Sequence, residues 1–595
     1  MSKKHRKKEV RILNNPAVGA SSINETIFSL KNDTGFGLFV LAILSLFAIV
    51  IYGNSLHNPF IWDDQYLITE NHFIKSSKYI LDMFKHQLYY STAGSSNFYR
   101  PLQNLFLYFD YSLWKENPVG YHLTNILFHI LSAFLIYLLI KCIFNRKAIA
   151  FLVSFLFLVH PVNSTVVNYI SSRADSQSAM FTLLALFLFI KYTARSGSAA
   201  YLWISLFSFI AALLSKELAI ILPFLLLFAM PLVSGPKISV LKKTIPFFII
   251  LGVYIALRAT VLSFSNTLHV TSPSLYIRLS TTCESFVRLI GTLFAPLQIH
   301  IEKRLPLSKG LLDPATFASL VVWIALAVFM IRIRKHCKMC FWGLVWFFVT
   351  LIPMANIVPI NTTLADHWLY IPCAGFFLSV IAAINYSIEK LAAKRLDFYK
   401  KLGLILYTGV IILFSILTIK QNTIWSSPLK FYTLATKYNP ASYRGHNEIG
   451  VIYLNDYQDY DKAIMEFEKA IAINPSFDQA YDNLGVAYDH KGNLDEAIVQ
   501  HKKAIELNPY NAKSFNNLGN AYNKLNRFDE AIANYQNALK LNPDYKAVYN
   551  NLGVIYYKKG MYKEAREYWE HALKIDPNFK MVQENLDILN QSESH

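Results

Sequence analysis

Charge is scarce in this chain. Asp, Glu, Lys and Arg make up 16% of its 595 residues, whereas soluble domains carry about 25%, which excludes a single water-soluble enzyme. Cysteine is scarce as well: Cys142, Cys283, Cys337, Cys340 and Cys373 lie in or beside apolar segments, and none follows residue 373. No disulfide framework is implied. The Cys337-Lys-Met-Cys340 pair lacks a second pair or a His couple, which argues against zinc. Also missing are a Gly-rich phosphate loop and a metal triad, so neither nucleotide-sugar nor ATP use is suggested; no cofactor and no metal-ligating residues are expected, and the need for a metal stays open. Acidic residues are depleted on one side only. Residues 1–438 hold 40 Lys and Arg against 17 Asp and Glu, while 439–595 hold 17 against 22. A strongly basic apolar part followed by a mildly acidic one argues against nucleic acid and for a membrane whose anionic surface faces basic loops.

Apolar residues are abundant, at 54% of the chain with 43 Phe and 36 Tyr. Uncharged stretches of about 17 to 25 residues suffice to cross a hydrocarbon core as helices. They predict eleven spans, near 36–53, 120–140, 148–168, 178–192, 200–214, 217–233, 244–263, 315–331, 341–359, 369–387 and 402–419. Segment 281–300 is a twelfth candidate, but it is short, contains Glu284 and Arg288, and is broken by Pro296. Read as a re-entrant or interfacial helix, it leaves every short basic loop in the cytosol together with the basic start MSKKHRKK; a crossing there would put the clusters at 332–338 and 390–401 outside, against the positive-inside rule. Residues 1–35 are then a cytosolic tail and 36–424 a membrane domain. The C-terminal part shares the outer compartment with the loop at 54–119, in a prokaryotic plasma membrane or an ER membrane. No small-residue cleavage site follows a short apolar region, so the first span is expected to be an anchor.

Beyond the last span the chain repeats. Pro475, Pro509, Pro543 and Pro577 stand 34 residues apart, and Pro440 precedes the first by 35. In the same register come Leu484/Leu518/Leu552, Gly485/Gly519/Gly553, Tyr488/Tyr522/Tyr556, Ala497/Ala531/Ala565 and Ala504/Ala538/Ala572. A fixed period of this length means a solenoid of helical hairpins, with small residues at the close crossings and Pro ending each second helix. The pattern resembles the tetratricopeptide repeat: half a repeat at 425–440, four repeats from about 442 to 577 and a capping helix at 579–590, together residues 425–595. Asn483, Asn517, Asn551 and Asn585 each precede the Leu position. An Asn row can grip the backbone of an extended acceptor or partner peptide, and it equally fits local helix packing.

Polar islands mark the outer ends of the spans: NPFIWDDQYLITEN (58–71), FYRPLQNLFLYFDYSLW (98–114), YHLTNILFHIL (121–131), HPVNSTVVNYISSRAD (160–175), LLSKELAIILP (213–223) and ADHWLYIP (365–372). Ionisable groups at membrane depth are costly, so islands meeting on one face suggest a common site. In order and spacing these motifs resemble the transmembrane and tetratricopeptide-repeat-containing O-mannosyltransferases and, more distantly, the protein O-mannosyltransferases, membrane glycosyltransferases of the GT-C class. The resemblance covers almost the whole chain. It implies an all-α polytopic bundle followed by a repeat solenoid, and transfer of a sugar, mannose in that family, from a polyprenyl-phosphate donor to Ser or Thr hydroxyls with inversion.

By its match to the first Asp of the family motif, Asp63 is the candidate base, and adjacent Asp64 would raise a carboxyl pKa or orient the acceptor or loop. Both also fit a helix N-cap in a polar loop. Arg100, Arg173 and Arg304 are candidate phosphate ligands, because guanidinium pairs its N–H donors with phosphate oxygens. Arg173 equally fits a snorkelling interface residue, and Arg100 a partner of a loop carboxylate such as Asp110. His160, Glu217, Asp366 and His367 are expected as supporting polar groups, although His160 also fits a cap and Glu217 an ion pair with Lys216. Two departures from the family pattern, Thr165 for Glu and the 365–370 segment ADHWLY for AERYLY, touch the donor side and leave the sugar open. Asn163-Ser-Thr and Asn361-Thr-Thr match N-glycosylation acceptors. Two other readings stand beside this one: a GT-C transferase acting on a glycan or lipid-linked acceptor, and a non-catalytic membrane-anchored repeat scaffold. A transporter fits less well, because the polar residues lie at span ends and not at the midplane.

Overall fold

The computed structural model describes residues 33–90, 97–193, 198–234, 241–262, 273–301, 303, 305–359, 363–391 and 395–593. Among them there is no β-strand, only an isolated antiparallel bridge between Lys303 and Leu364. The fold is all-α, as expected. Helix starts follow local chemistry. Asn117, Asp313 and Ser427 cap the helices Pro118–Phe144, Pro314–Ile333 and Pro428–Tyr438, each accepting a first-turn N–H and each followed by a Pro that has no N–H to leave unpaired.

Among the described residues, six helices are long and apolar enough to cross a membrane: Gly35–Ser55, Pro118–Phe144, Ile170–Thr193, Pro314–Ile333, Pro372–Lys390 and Leu396–Asn422. A seventh would be the pair Lys147–Val159 and Pro161–Asn168, bent by 53°. Four shorter apolar helices, Ala199–Ser215, Glu217–Ala229, Ile245–Ala259 and Lys338–Met354, occupy the remaining expected positions. All eleven expected segments are therefore helical and apolar, but eleven full-length crossings are not what their lengths give. The polar islands are the reason: His160-Pro161 bends one segment, and Lys216 separates two others. Segment 275–294 is a 20-residue helix, Leu275–Phe294, that ends before Pro296 and carries a Glu284–Arg288 pair at 2.7 Å. It is not among the helices apolar enough to cross.

Two of the apolar helices, Lys338–Leu351 and Pro372–Leu391, approach closely through glycine. A Cβ added at Gly375 would lie 2.6 Å from the Gly343 carbonyl oxygen, and one at Gly343 would lie 2.6 Å from that of Gly375. Small residues at such a crossing let backbones gain the dispersion contacts that replace the hydrophobic effect in lipid.

The C-terminal helices form four hairpins: Tyr443–Asn455 with Tyr460–Ile473, Asp478–Lys491 with Leu494–Leu507, Ala512–Lys524 with Phe528–Leu541, and Lys546–Lys558 with Tyr562–Ile575. Lys580–Glu593 covers the last one. The glycine of each first helix faces a ring of the second, so that a Cβ at Gly485, Gly519 or Gly553 would sit 2.4–2.7 Å from His501, Tyr535 or Trp569. The half repeat is the helix Pro428–Tyr438, which follows the last membrane helix after a short turn. It is packed and not tethered: Trp425, Phe431, Tyr432, Ile449 and Ile452 share one buried cluster with Ile61 and Tyr169 of the membrane part.

Gly375→Val should lower the thermal unfolding temperature of the detergent-solubilised protein, with about 1–3 kcal/mol lost to overpacking. Gly409→Val, where a Cβ meets nothing within 4 Å, should leave it unchanged.

Candidate active site

The loop after the first membrane helix is built around two adjacent aspartates with different surroundings. Asp64 is buried, and its Oδ1 accepts the Ser171 N–H at 2.7 Å and the Ser171 hydroxyl at 2.5 Å. Its Oδ2 accepts the Ile61 N–H at 3.4 Å. Both oxygens are thus committed to holding the loop against the start of the helix Arg173–Thr193. Of the roles expected for Asp64, the structure favours orienting the loop over direct chemistry. Burial pushes its pKa up to about 7, although the Ser171 and Ile61 bonds favour the ionised form.

Asp63 is half-buried and points elsewhere. Its Oδ2 accepts the Tyr89 hydroxyl at 3.3 Å, and its backbone N–H donates to the Tyr169 hydroxyl at 3.3 Å. Burial holds its carboxyl above the ordinary aspartate range, against the pull of Tyr169, Arg444, Tyr89 and Arg100. A carboxylate of raised pKa with its lone pairs steered by hydroxyls is suited to accepting a proton. The preceding residue, Trp62, has a left-handed backbone with φ 62°.

Arg100 stands just before the helix Pro101–Trp114 and is clamped from both sides. Its Nη2 and Nε donate to the two Glu217 oxygens at 2.7 and 3.2 Å, and its guanidinium lies 4.5 Å from the Phe98 ring centre. The partner is therefore Glu217 and not Asp110, and Glu217 is not the partner of Lys216. Lys216 instead reaches Asp175 at 2.7 Å. Asp175 and Lys216 line a narrow cleft of about 20 Å³ with Ser178, Trp368, Tyr370 and Pro372 among its walls. His367 lies within the field of Asp175, Lys216 and Arg100, and burial lowers its pKa to about 4. Asp366 turns away to Lys303, at 2.8 Å, and to the His300 N–H.

Several expected site residues are structural. Arg173 has no exposed surface: Nη1 pairs with Asp110 at 2.6 Å, Nε donates to Asn125 Oδ1 at 2.8 Å, and Nη2 donates to the Tyr121 carbonyl at 2.9 Å. It serves neither as a phosphate ligand nor as a snorkelling residue here, because every nitrogen already faces a protein acceptor. The H-x-x-N segment explains itself in the same way, with His122 Nε2 on the Asn58 carbonyl and Asn125 on Arg173. His160 Nδ1 accepts the Val162 N–H while Nε2 donates to the Leu293 carbonyl, so it caps the bend between Phe377 and Phe414. Arg304 and Asn361 lie outside the described residues. Asn163 is buried with its amide donating to the Phe157 carbonyl at 2.7 Å, which removes it as a glycan acceptor.

The Asn row is likewise engaged. Asn483, Asn517, Asn551 and Asn585 donate through Nδ2 to Asn447, Asp482, Asn516 and Asn550 of the preceding repeat at 2.9–3.1 Å. The ladder couples neighbouring repeats, so the local-packing reading replaces the peptide grip. Sequence reasoning missed Tyr89, Tyr169, Lys216, Asp175 and Arg444. Tyr169, Asp175 and Lys216 stand within the quoted motifs, Lys216 there only as a partner for Glu217, but nothing in a motif says which ring, carboxylate or ammonium turns inward.

The helices and this site define a multi-pass membrane protein with a tetratricopeptide array packed beside a paired-aspartate loop. Comparison with known proteins is more specific. Residues 100–264 match the dolichyl-phosphate-mannose-protein mannosyltransferase family, and stretches between 443 and 579 match tetratricopeptide repeats. Human Protein O-mannosyl-transferase TMTC3 is 26% identical over 485 residues, 73% of this chain and 52% of its own. Caenorhabditis elegans Protein O-mannosyl-transferase F38B6.6 is 24% identical over 465 residues, 74% and 64% respectively. The chain thus spans less than two thirds of either relative. The resemblance to the transmembrane and tetratricopeptide-repeat-containing O-mannosyltransferases, drawn from the motifs, is borne out.

Arg173→Gln should strand the Asp110 carboxylate in the core and cost about 3–5 kcal/mol. Pairing it with Asp110→Asn should recover part of that in detergent unfolding scans. A second outcome concerns Asp64. Between its ordinary pKa and about 7 the folded chain holds a proton that the unfolded chain has lost, so stability falls as pH rises through that window. Asp64→Asn should flatten this slope in unfolding scans between pH 4.5 and 7.5, a window of about three units set by the ordinary Asp value near 3.9.

Proposed function

We propose that this chain is a membrane glycosyltransferase that moves a sugar, mannose by analogy with its relatives, from a polyprenyl-phosphate donor to Ser or Thr hydroxyls of protein acceptors. The observation that carries the reading is Asp63: half-buried in the loop after the first membrane helix, its carboxylate raised in pKa and accepting the Tyr89 hydroxyl while its N–H holds the Tyr169 hydroxyl. In this reaction the acceptor oxygen attacks the anomeric carbon as the bond from that carbon to the phosphate oxygen breaks. The hydroxyl proton passes to Asp63, and polyprenyl phosphate leaves with the bonding pair. Attack opposite the leaving group inverts the anomeric configuration.

The donor side of the proposal is the cleft at Lys216. Arg100, pre-set by Glu217, and Lys216 supply cations for the phosphate, with His367 close by. Apolar walls at Leu218, Ile221 and Ile371 suit a prenyl chain. Residues 36–424 are then the transferase domain and 425–595 the repeat domain. We place the N-terminal tail in the cytosol and the repeats on the far side, because the basic loops otherwise violate the positive-inside rule.

Asp63→Asn should lower transfer by about 10²–10⁴-fold, the span that general bases supply, in proteoliposomes given radiolabelled polyprenyl-phosphate mannose and Ser/Thr peptides. Equal transfer by wild type and variant would remove Asp63 as the base. The acid limb of kcat/KM should lie above the ordinary aspartate value. Tyr89→Phe should move it further up, because the Tyr89 hydroxyl favours ionised Asp63.

A further inference from the structure

Asp63 is reached from the repeat side as well as from the membrane side. The residue just before it, Trp62, holds φ 62°, a left-handed conformation that costs a side-chain-bearing residue energy and persists only where the surroundings impose it. What imposes it comes from the half repeat. The Trp62 N–H donates to the Tyr432 hydroxyl at 3.2 Å, and the indole stacks on the Tyr432 ring at 5.6 Å between centroids and 28° between planes. Phe431 meets the same indole edge-on at 6.1 Å. Tyr432 is itself buried in the cluster that joins Ile61, Tyr169 and Trp425.

The neighbouring contacts make this grip local. Asp64 is anchored on Ser171, and the Asp63 N–H on Tyr169, whose ring stacks on Trp425 at 5.4 Å. The Asp63 side chain therefore leaves a backbone fixed at three consecutive residues, the first of them by Tyr432. We propose that Tyr432, in the helix Pro428–Tyr438, is a positioning residue for the reaction: by holding Trp62 left-handed through its hydroxyl and ring, it aims the Asp63 carboxylate at the acceptor. The repeat array is thus a structural part of the catalytic loop, and an acceptor or partner that shifts the first repeat changes the aim of the base.

The proposal rests on Asp63 as the base, and its test separates the two claims. Tyr432→Phe keeps the ring and removes the acceptor for the Trp62 N–H. In the full-length protein, with rates normalised to the sites that bind radiolabelled polyprenyl-phosphate mannose, kcat should fall at least tenfold with the donor KM unchanged. Amide exchange should speed up at least tenfold in residues 59–66 while the repeats 460–575 keep their protection. Tyr432→Ala, which also loses the stack, should exceed Tyr432→Phe in both readouts. A kcat within twofold of wild type, or faster exchange spread evenly through the repeats, would overturn the positioning role. If Asp63→Asn proves fully active, the base assignment falls and the positioning claim with it, while localised exchange would still separate that failure from a failure of the Tyr432 contact.

Discussion

The contact between the half repeat and the first outer loop is the constraint on which the rest of the arrangement depends. Trp425, Phe431 and Tyr432 bury themselves against Ile61, Trp62 and Tyr169, so the last membrane helix runs into the solenoid without a flexible hinge. Large aromatic surfaces make such a contact strong, and ring stacking gives it a preferred geometry. With that geometry set, the loop can carry one aspartate inward as an anchor and leave the next facing the site. The same backbone that turns Asp64 onto Ser171 leaves Asp63 half-buried beside Tyr89.

Around this loop the bundle handles charge by pairing. Arg173 with Asp110, Lys216 with Asp175, Lys303 with Asp366 and Arg100 with Glu217 each join segments far apart in the chain. A buried charge without a partner is costly, so each pair acts as a registration pin between helices that otherwise offer one another only apolar surface. The pairs differ in how far they are closed off. Arg173 has no exposed surface, Lys216 lines the cleft beside Asp175, and Arg100 keeps a small exposed fraction against Glu217.

Much of the fold was legible because periodicity and length are written along the chain. The 34-residue spacing of Pro475, Pro509, Pro543 and Pro577 locates four hairpins, since each proline must lie outside a helix interior. The expected apolar segments all reappear as helices, but their lengths did not: polar breaks at His160 and Lys216 shorten them, and a hydropathy count does not see a bend. The site was less legible. Asp63 and Asp64 read alike as a pair, and only their hydrogen bonds tell them apart. Arg173 and Arg100 looked like equals; one is sealed in the core against Asp110 and the other is partly exposed and paired with Glu217. The Asn row was visible as a row, yet its donors turn to the preceding repeat instead of to solvent.

By itself the sequence determined the class of the protein: an apolar bundle with basic loops, a tetratricopeptide array, and motifs in the order of a known transferase family. These are one-dimensional properties, set by composition, period and spacing, and they survive without knowledge of contacts. Tertiary structure alone decided which aspartate is anchored on Ser171 and which faces Tyr89, which cation is sealed in the core, and that Tyr432 reaches back 370 residues to Trp62. Those outcomes depend on distances across the fold. Side chains of one type take opposite roles according to what packs against them.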